Sequence, residues 1–228
     1  MGGRLRRLEC AERIAKLVLS VCLLVALLLA SACGRDEGGP ETDQAGSASP
    51  APELTTYSNE EWSFSLEYPV DWAHGDLPAD RQLGEFKSDF FIVFTDDPSI
   101  LEEPPSDGRS RGWVTVAGVR MPTEGSESDF RALLADIASQ LERLIEQRAS
   151  GGVSAEVTDV TLGHFAGVPA VISEASAGYH SEPGERQRQY TFGKGDVLYF
   201  LSLNATADRW SQYEAELESI AQSFAFQQ

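Results

Sequence analysis

The sequence predicts an α+β domain in which a mostly antiparallel β-sheet is flanked by helices. Seven short segments with continuous or alternating apolar residues, separated by Gly, Pro and Asp, are typical of strands. Two longer stretches have apolar residues every three or four positions, which is typical of amphipathic helices. Because several of the strands are joined by turns of only a few residues, antiparallel pairing is favoured over parallel pairing, which needs long crossovers.

The first three predicted strands lie in the N-terminal half of the domain. Residues 62–68 (WSFSLEY) alternate between apolar and polar side chains and stop at Pro69, which indicates a half-buried strand. Residues 89–95 (DFFIVFT) form a continuous apolar run, which indicates a strand covered on both faces. A loop rich in proline and acid follows as far as Gly108, and residues 113–119 form the next strand.

Two helices and two hairpins complete the predicted elements. The first helix begins at Ser126 or Ser128, either of which can cap it, and ends at residues 150–152. Its apolar face consists of Phe130, Leu133, Leu134, Ile137, Leu141, Leu144 and Ile145. The second helix has Asp208 as its predicted cap, and its apolar face consists of Trp210, Tyr213, Leu217, Ile220 and Phe224. The hairpins join strands 156–162 and 169–177 through a turn from Gly163 to Gly167, and strands 188–192 and 197–205 through Gly193-Lys194-Gly195-Asp196.

The N-terminus has the pattern of an export signal. Five basic residues precede an uncharged apolar run at 17–30, which is shorter than the about 20 residues of a membrane-spanning helix. Leu29-Ala30-Ser31-Ala32-Cys33 is typical of a lipobox, in which small residues precede a cysteine that is cut free and lipidated. Ordinary secretion after Ala32 and an uncleaved anchor are the alternatives. We therefore predict a lipoprotein signal peptide at 1–32 and lipidation of Cys33.

Processing at this site leaves one cysteine in the mature chain. Cys10 and Cys22 fall in the removed segment, so no disulfide and no thiol nucleophile remain. Two or more acyl chains, such as a diacylated cysteine with palmitate, hold a protein at a membrane, whereas one chain binds only marginally. We therefore expect anchorage through lipid on Cys33 in the cell membrane or outer membrane, on the extracytoplasmic side.

Composition divides the mature chain into a tether and a domain. Residues 33–53 are rich in Gly, Ser, Pro and acid and predict a disordered tether, so the globular domain spans 54–228. The chain has 18 basic and 36 acidic residues, a net charge of −18, and removal of 1–32 leaves −21. This excess of acid argues against nucleic acid as a partner and against electrostatic adsorption to anionic lipid.

The beginning and the end of the domain resemble the PsbP-like family. Residues 62–72 (WSFSLEYPVDW) resemble the family's aromatic Tyr-Pro-x-x-Trp hairpin, and residues 195–203 with 219–224 (SIAQSF) resemble its C-terminal end. The resemblance spans about 57–226 and implies an α/β/α sandwich around an antiparallel sheet. Members include an extrinsic subunit that supports ion retention at photosystem II and bacterial envelope lipoproteins. The resemblance implies a non-catalytic binding or scaffold module of the second kind, and it carries over no ligand residues.

The three histidines are the first candidates for chemistry, because imidazole is the usual general base. His74 and His164 fall in predicted turns and His180 in a polar stretch, so all three are expected to be solvated loop residues. The His-x-acid pairs at 74–76 and 180–182 offer two ligands each, whereas a zinc site needs three or four.

Two further groups are weaker candidates for a binding site. The carboxylates of the acid-rich loop are candidate calcium ligands, but their spacing fits no EF-hand and an unliganded exposed loop is favoured; they are Asp96, Asp97, Glu102, Glu103 and Asp107. Trp62, Tyr68 and Trp72 can line a ligand groove, although such a cluster is more often part of a core. We expect neither a metal nor another cofactor.

Two classes of function follow. The sequence contains no G-x-S-x-G elbow, no H-E-x-x-H and no glycine-rich phosphate loop. The first class is a tethered, non-catalytic binding or scaffold module for a protein or a lipidic ligand. The alternative is an envelope hydrolase whose site is assembled only in three dimensions, from a histidine and an acidic residue. Separation of the histidines from one another and from buried carboxylates would exclude this alternative.

Overall fold

The structure is a computed structural model that describes residues 52–77, 82–83, 86–102, 112–121, 126–148, 155–177 and 184–227. The predicted signal peptide 1–32, Cys33 and all but the last two residues of the predicted tether lie outside these ranges. The same is true of His180, Glu103 and Asp107. The signal peptide, the lipidated cysteine and the tether therefore stay predictions.

The described residues form twelve strands and three helices. The strands are β1 (Leu54–Asn59), β2 (Phe64–Pro69), β3 (Ala73–Asp76), β4 (Gln82–Leu83), β5 (Phe86–Lys87), β6 (Phe90–Thr95), β7 (Gly112–Arg120), β8 (Ala155–Phe165), β9 (Val168–Ala177), β10 (Glu185–Lys194), β11 (Val197–Thr206) and β12 (Ala225–Phe226). The helices are α1 (Ser99–Glu102), α2 (Glu127–Arg148) and α3 (Trp210–Gln222).

Seven of the strands form the main sheet, in the order β3-β6-β7-β11-β10-β9-β8. Every neighbouring pair in it is antiparallel. A small sheet has the order β1-β2-β12, and β4 pairs with β5. This arrangement confirms the predicted α+β class with a mostly antiparallel sheet.

The main sheet is covered on both faces. On one face, called the α2 face, Phe130, Ile137 and Leu141 of α2 pack in one cluster with Val171 of β9 and Phe200 of β11. On the other face, called the α3 face, helix α3 and the small sheet enclose the larger aromatic cluster, in which Phe64 and Phe224 stack at 5.3 Å between ring centroids. The alternation of side chains along each strand separates the two clusters.

Helix α2 begins as predicted and α3 does not. The Asp129 amide donates to Ser126 Oγ at 3.2 Å and the Ser126 amide donates to Asp129 Oδ2 at 3.1 Å, a reciprocal capping box. The predicted cap of α3, Asp208, is wrong. Arg209 occupies that position without a side-chain cap bond, because a backbone turn in which the Arg209 amide donates to Thr206 O at 3.0 Å leads directly into the helix.

Both predicted hairpin turns are too long. β8 continues through Gly163 and His164 to Phe165, and the turn is only Ala166-Gly167, with φ of 48° and 79° as a two-residue turn requires. In the second hairpin the turn is Gly195-Asp196, and Gly193 belongs to β10. The glycines at 163 and 193 marked turns in the sequence, but both lie in strands.

The short elements were not predicted from the sequence. β1 buries no residue completely, and β3, β4, β5 and β12 are only two to four residues long, so they carry little periodic signal. The predicted loop after Thr95 contains α1. Phe224 lies beyond the end of α3 and not on its apolar face, although it is buried in the aromatic cluster as expected.

Candidate functional site

His74 and His164 lie at opposite edges of the main sheet, His74 in β3 and His164 in β8. The prediction that they lie in turns is therefore wrong. Six strand spacings of about 4.8 Å separate the two edges by about 29 Å, so these two histidines cannot share a catalytic site.

His74 is an aromatic packing residue. Its Nδ1 is hydrogen-bonded to the Tyr68 hydroxyl at 2.9 Å. Its ring stacks on Phe94 at 5.8 Å between centroids and meets the ring of Tyr57 edge-on at 5.2 Å. The imidazole thus closes the outer edge of the aromatic cluster.

The predicted aromatic trio is largely core. Trp62, Tyr68 and Trp72 are only 7%, 7% and 6% exposed and belong to the cluster on the α3 face. Of the three, Trp62 also lines a cleft, described below.

The two described carboxylates at the start of the acid-rich loop have structural partners. Asp96 accepts hydrogen bonds from the Tyr213 hydroxyl at 3.1 Å and from the Gly112 amide at 3.4 Å. Asp97 accepts from the amide and the hydroxyl of Ser99 at the start of α1. Among the described side chains, no three His, Cys, Asp or Glu residues are grouped as metal ligands would be.

A cleft opens where two chain turns, the end of β7 and β12 meet at one end of the main sheet. It has a volume of 280 Å³ and is called the Trp62 cleft. Its walls come from the β1–β2 turn, the end of β7, the β10–β11 turn and β12. They consist of Glu61, Trp62, Ser63, Arg120, Lys194, Gly195, Asp196, Val197, Tyr199, Phe226 and Gln227.

Two cations lie over aromatic rings in this cleft. The guanidinium carbon of Arg120 is 4.7 Å from the ring centroid of Trp62, and Nζ of Lys194 is 4.1 Å from that of Phe226. Arg120 Nε is also 3.6 Å from Asp196 Oδ2. Cation–π contacts of this kind hold the cationic groups beside apolar surface. The cleft therefore combines aromatic walls with two cations, Arg120 and Lys194, and two carboxylates, Glu61 and Asp196, so that the charges of its lining balance.

The wall of the cleft is held in place by the core behind it. The Tyr199 hydroxyl donates to the carbonyl oxygen of Trp62 at 2.7 Å. The Gln227 amide donates to the carbonyl oxygen of Ser63 at 2.9 Å, and Ser63 itself has a φ of 50°, which is uncommon for a residue with a side chain. These contacts place the Trp62 backbone independently of any ligand.

Arg188 forms the densest group of charges, on the α3 face. Its guanidinium donates to Glu174 at 2.7 Å, to Glu214 at 3.0 Å and to Glu218. The Tyr190 hydroxyl donates to Glu218 Oε2 at 2.8 Å. Burial lowers the pKa of Arg188, but hydrogen bonds and charges from Glu218 and Glu174 outweigh it, so the net pKa is raised. The group therefore ties α3 to the sheet, because its carboxylates come from β9 and from α3.

Comparison with known proteins identifies the fold. No protein-family model and no curated protein sequence matches the chain. Among solved structures, it is similar to cyanobacterial PsbP (CyanoP) from Synechocystis sp. PCC 6803, with a TM-score of 0.50 and 18% identity over 81% of this chain and 98% of that one. This match confirms the PsbP-like fold expected from residues 62–72 and the C-terminal end, and at this identity it shows the fold alone.

Two other solved structures are similar at a lower level. LpqN of Mycobacterium tuberculosis, a protein involved in cell envelope biogenesis, has a TM-score of 0.42 and 13% identity over 77% of this chain and 91% of that one. A protein from Bacteroides thetaiotaomicron has a TM-score of 0.44 and 10% identity over 76% of this chain, which corresponds to 48% of its own length. No helix in the described part of the chain has both the length and the hydropathy of a membrane span.

Proposed function

We propose that this chain is a lipid-anchored extracytoplasmic protein of the cell envelope whose PsbP-like domain is a non-catalytic binding module. The Trp62 cleft is its binding site. The observation that carries the proposal is the position of Arg120 and Lys194 over aromatic rings in one cleft. The fold brings these two cations together from distant parts of a strongly acidic chain.

The walls of the cleft indicate the chemistry of the ligand. The rings of Trp62 and Phe226 offer apolar surface. Because Arg120 is paired with Asp196, the ammonium group of Lys194 beside Phe226 is the cation that can meet an anionic group of a ligand. A volume of 280 Å³ suits one head group and the apolar atoms next to it better than a whole large ligand. A lipidic ligand with an anionic head group has this combination, and it is present at the membrane where the anchor would hold the domain.

The separation of His74 from His164, the two histidines that the structure describes, supports a non-catalytic role. A hydrolase assembled in three dimensions needs a base next to its orienting acid. His74 is instead hydrogen-bonded to Tyr68 at the exposed edge of an aromatic cluster, and His164 lies at the far edge of the sheet. The cleft contains no histidine.

The anchor is tested by Cys33→Ser in the native producing cell. The wild type is expected in the membrane fraction and the variant in the aqueous fraction after detergent phase separation, because a serine cannot accept the lipid. Mass spectrometry of the mature N-terminus is the control for cleavage. A variant that is cleaved after Ala32 and still partitions with membranes would contradict lipid anchorage.

The binding site is tested by purifying the membrane-anchored protein and identifying the lipids and proteins that accompany it by mass spectrometry. We expect an anionic lipid with the wild type and at least a severalfold lower yield with the double variant Arg120→Gln, Lys194→Gln. Arg131→Gln, on the exposed side of α2, is the matched control. Recovery of a protein partner would point to a scaffold. Recovery of as much lipid with the double variant as with the wild type would exclude the Trp62 cleft as the lipid-binding site.

A further inference from the structure

Strand β8 forms one edge of the main sheet and is the longest strand in it. Among the described strands it pairs with β9 alone, so the backbone groups on its outer side belong to no ladder. Such an edge is a template for another strand, and proteins commonly protect it with charges, proline or a short length. The second part of β8, from Asp159 to Phe165, contains no proline and a single carboxylate.

The hairpin between β8 and β9 determines which backbone groups point outwards. Its turn is Ala166-Gly167, so Phe165 and Val168 are the residues joined by the hydrogen bond of the turn. Along an antiparallel pair, hydrogen-bonded and non-hydrogen-bonded positions alternate, so residues 161, 163 and 165 bond to β9. The residues between them direct their amide and carbonyl groups away from the sheet; they are Val160, Leu162 and His164.

The side chains of this edge include an exposed leucine. Leu162 is 58% exposed and stands opposite Val171, which belongs to the cluster on the α2 face. Val160 packs against the same cluster and is only half-buried. A cavity of 280 Å³ lies between this end of β8 and Leu134 and Ala135 of α2, so the helix leaves the edge open at Leu162. The edge thus offers apolar surface beside backbone groups that can pair.

The strand is complementary to itself. In an antiparallel pair of two β8 strands centred on Thr161, Val160 of each copy stands opposite Leu162 of the other, on the α2 face. At the centre Thr161 meets its own copy, and threonine pairs stabilise antiparallel sheets. Asp159 stands opposite Gly163. Two copies of a chain with a net charge of −18 therefore meet here without opposed like charges.

The backbone groups fit the same register. Val160 and Leu162 both point their groups outwards, so their two pairs form four hydrogen bonds between the copies. Thr161 bonds to β9 and falls at a non-hydrogen-bonded position, where opposed Cα atoms are about 4.5 Å apart. The register shift at Thr158 ends the ladder beyond Asp159. A pair centred on Asp159 would instead place two carboxylates opposite each other, which is destabilising.

We propose that β8 is an interface at which two copies of this chain pair, antiparallel and about a two-fold axis at Thr161. The two main sheets then form one continuous sheet. The occupant is a second copy because one surface supplies both halves of the contact, as in most symmetric dimers. The ladder of five residue pairs is only about 14 Å long. An interface of this size is weak in dilute solution, and attachment of both copies to one membrane would favour it.

The interface is separate from the Trp62 cleft, because no residue of β8 lines that cleft. Pairing through β8 leaves the cleft open in both copies. The inference therefore does not depend on the proposed function, and each can fail without the other.

The test is disulfide trapping of Thr161→Cys in a Cys33→Ser background, with the protein purified from the native producing cell. Cα atoms about 4.5 Å apart lie within the range of a disulfide. The protein is oxidised with copper phenanthroline at increasing concentration, and the dimer is measured on non-reducing gels. Thr56→Cys in the same background is the matched control, an exposed threonine of β1 at the edge of the small sheet. We expect severalfold more dimer with Thr161→Cys.

Further substitutions test the apolar pairs and the register. Leu162→Lys, combined with Thr161→Cys, should reduce the dimer to the level of the control, because it places a charge opposite Val160. Val70→Lys, at a residue that is 51% exposed elsewhere, should leave the dimer unchanged. Thr158→Cys should give little dimer, because its two copies lie about 20 Å apart in this register.

The outcomes decide as follows. As little dimer with Thr161→Cys as with Thr56→Cys would overturn the proposal. As much dimer with Thr158→Cys would also overturn it, since random collisions would then explain the disulfides. Recovery of Thr161→Cys joined to a different protein would exclude a second copy as the occupant. If circular dichroism shows that Leu162→Lys does not fold, the three cysteine variants decide.

Discussion

Arg188 links α3 to the sheet through charged contacts, in addition to the buried apolar face of the helix. It is 18% exposed and contacts Glu174 from β9 and both Glu214 and Glu218 from α3. Desolvation of such a cation is costly, and its contacts with the carboxylates compensate for that cost. Loss of Arg188 therefore leaves three neighbouring negative charges without their common partner.

We expect Arg188→Met to lower the free energy of unfolding by about 3 kcal/mol, the cost of breaking a partly buried ion pair. Arg131→Met is the control, because Arg131 is 63% exposed and its pair with Glu127 on α2 contributes less than about 0.5 kcal/mol. Urea unfolding followed by circular dichroism measures both. Equal losses of unfolding free energy in the two variants would show that the charged group around Arg188 stabilises the protein no more than an exposed ion pair does.

Glu185 predicts a pH dependence of stability. Its folded pKa of about 8 lies above the ordinary value of 4.5 because burial disfavours the carboxylate, so the folded state keeps a proton that the unfolded chain loses. Stability from this group is therefore greatest below pH 4.5 and falls as the pH rises to 8, by at most about 1.4 kcal/mol per pH unit. Urea unfolding between pH 5 and pH 8 gives the free energy of unfolding as a function of pH. We expect this free energy to fall less steeply with pH for Glu185→Gln than for the wild type. The same pH dependence of unfolding free energy in Glu185→Gln and the wild type would show that other titratable groups cause it.

At the scale of the elements, one glycine controls how closely α2 packs on the sheet. A Cβ atom at Gly193 would lie 1.9 Å from Cδ1 of Phe130, at the start of α2. Gly163, in β8, has its nearest contact at 3.5 Å from Ile172 Cδ1, an ordinary van der Waals distance. Both glycines lie in strands, but only Gly193 is required there by the packing of a helix.

Gly193→Ala should therefore destabilise the protein by about 3 kcal/mol, because Phe130 must move for the new methyl group to fit. Gly163→Ala should be neutral or slightly stabilising, since alanine loses less backbone entropy on folding. Thermal unfolding of the two variants under the same conditions makes the comparison. A Gly193→Ala variant as stable as Gly163→Ala would show that α2 is free to shift.

The elements with a strong local signal could be predicted from the sequence. The continuous apolar run at 89–95, the helix after Ser126 and the two C-terminal hairpins appear within a few residues of their expected positions. The short strands β3 and β12 could not be predicted, because each exists only through pairing, with β6 and with β2. His74 was misplaced for the same reason.

At the scale of the whole molecule, the dominant property is negative charge, with 36 acidic and 18 basic residues. Mutual repulsion of these charges destabilises the compact state more than the unfolded chain. Raising the ionic strength from about 0.01 M to about 0.15 M shortens the Debye length from about 30 Å to about 8 Å and screens that repulsion.

The thermal midpoint of the protein should therefore rise by several degrees over this range of sodium chloride. An equal rise with potassium chloride is the control, since screening does not depend on the identity of the cation. A rise with one salt alone would indicate specific binding. A fall would mean that attractive pairs such as those of Arg188 outweigh the repulsion.

The sequence by itself determined the fold class, the main strands and helices, and the expected cellular location of the protein. It could do so because hydrophobic periodicity, turn residues and a signal-peptide cleavage pattern are local properties of the chain. Only the tertiary structure decided which residues meet. Strand register brings Trp62, Arg120 and Lys194 to one cleft and leaves β8 at an edge of the main sheet. Such a register depends on the burial of whole faces of a sheet, a property that no single segment contains.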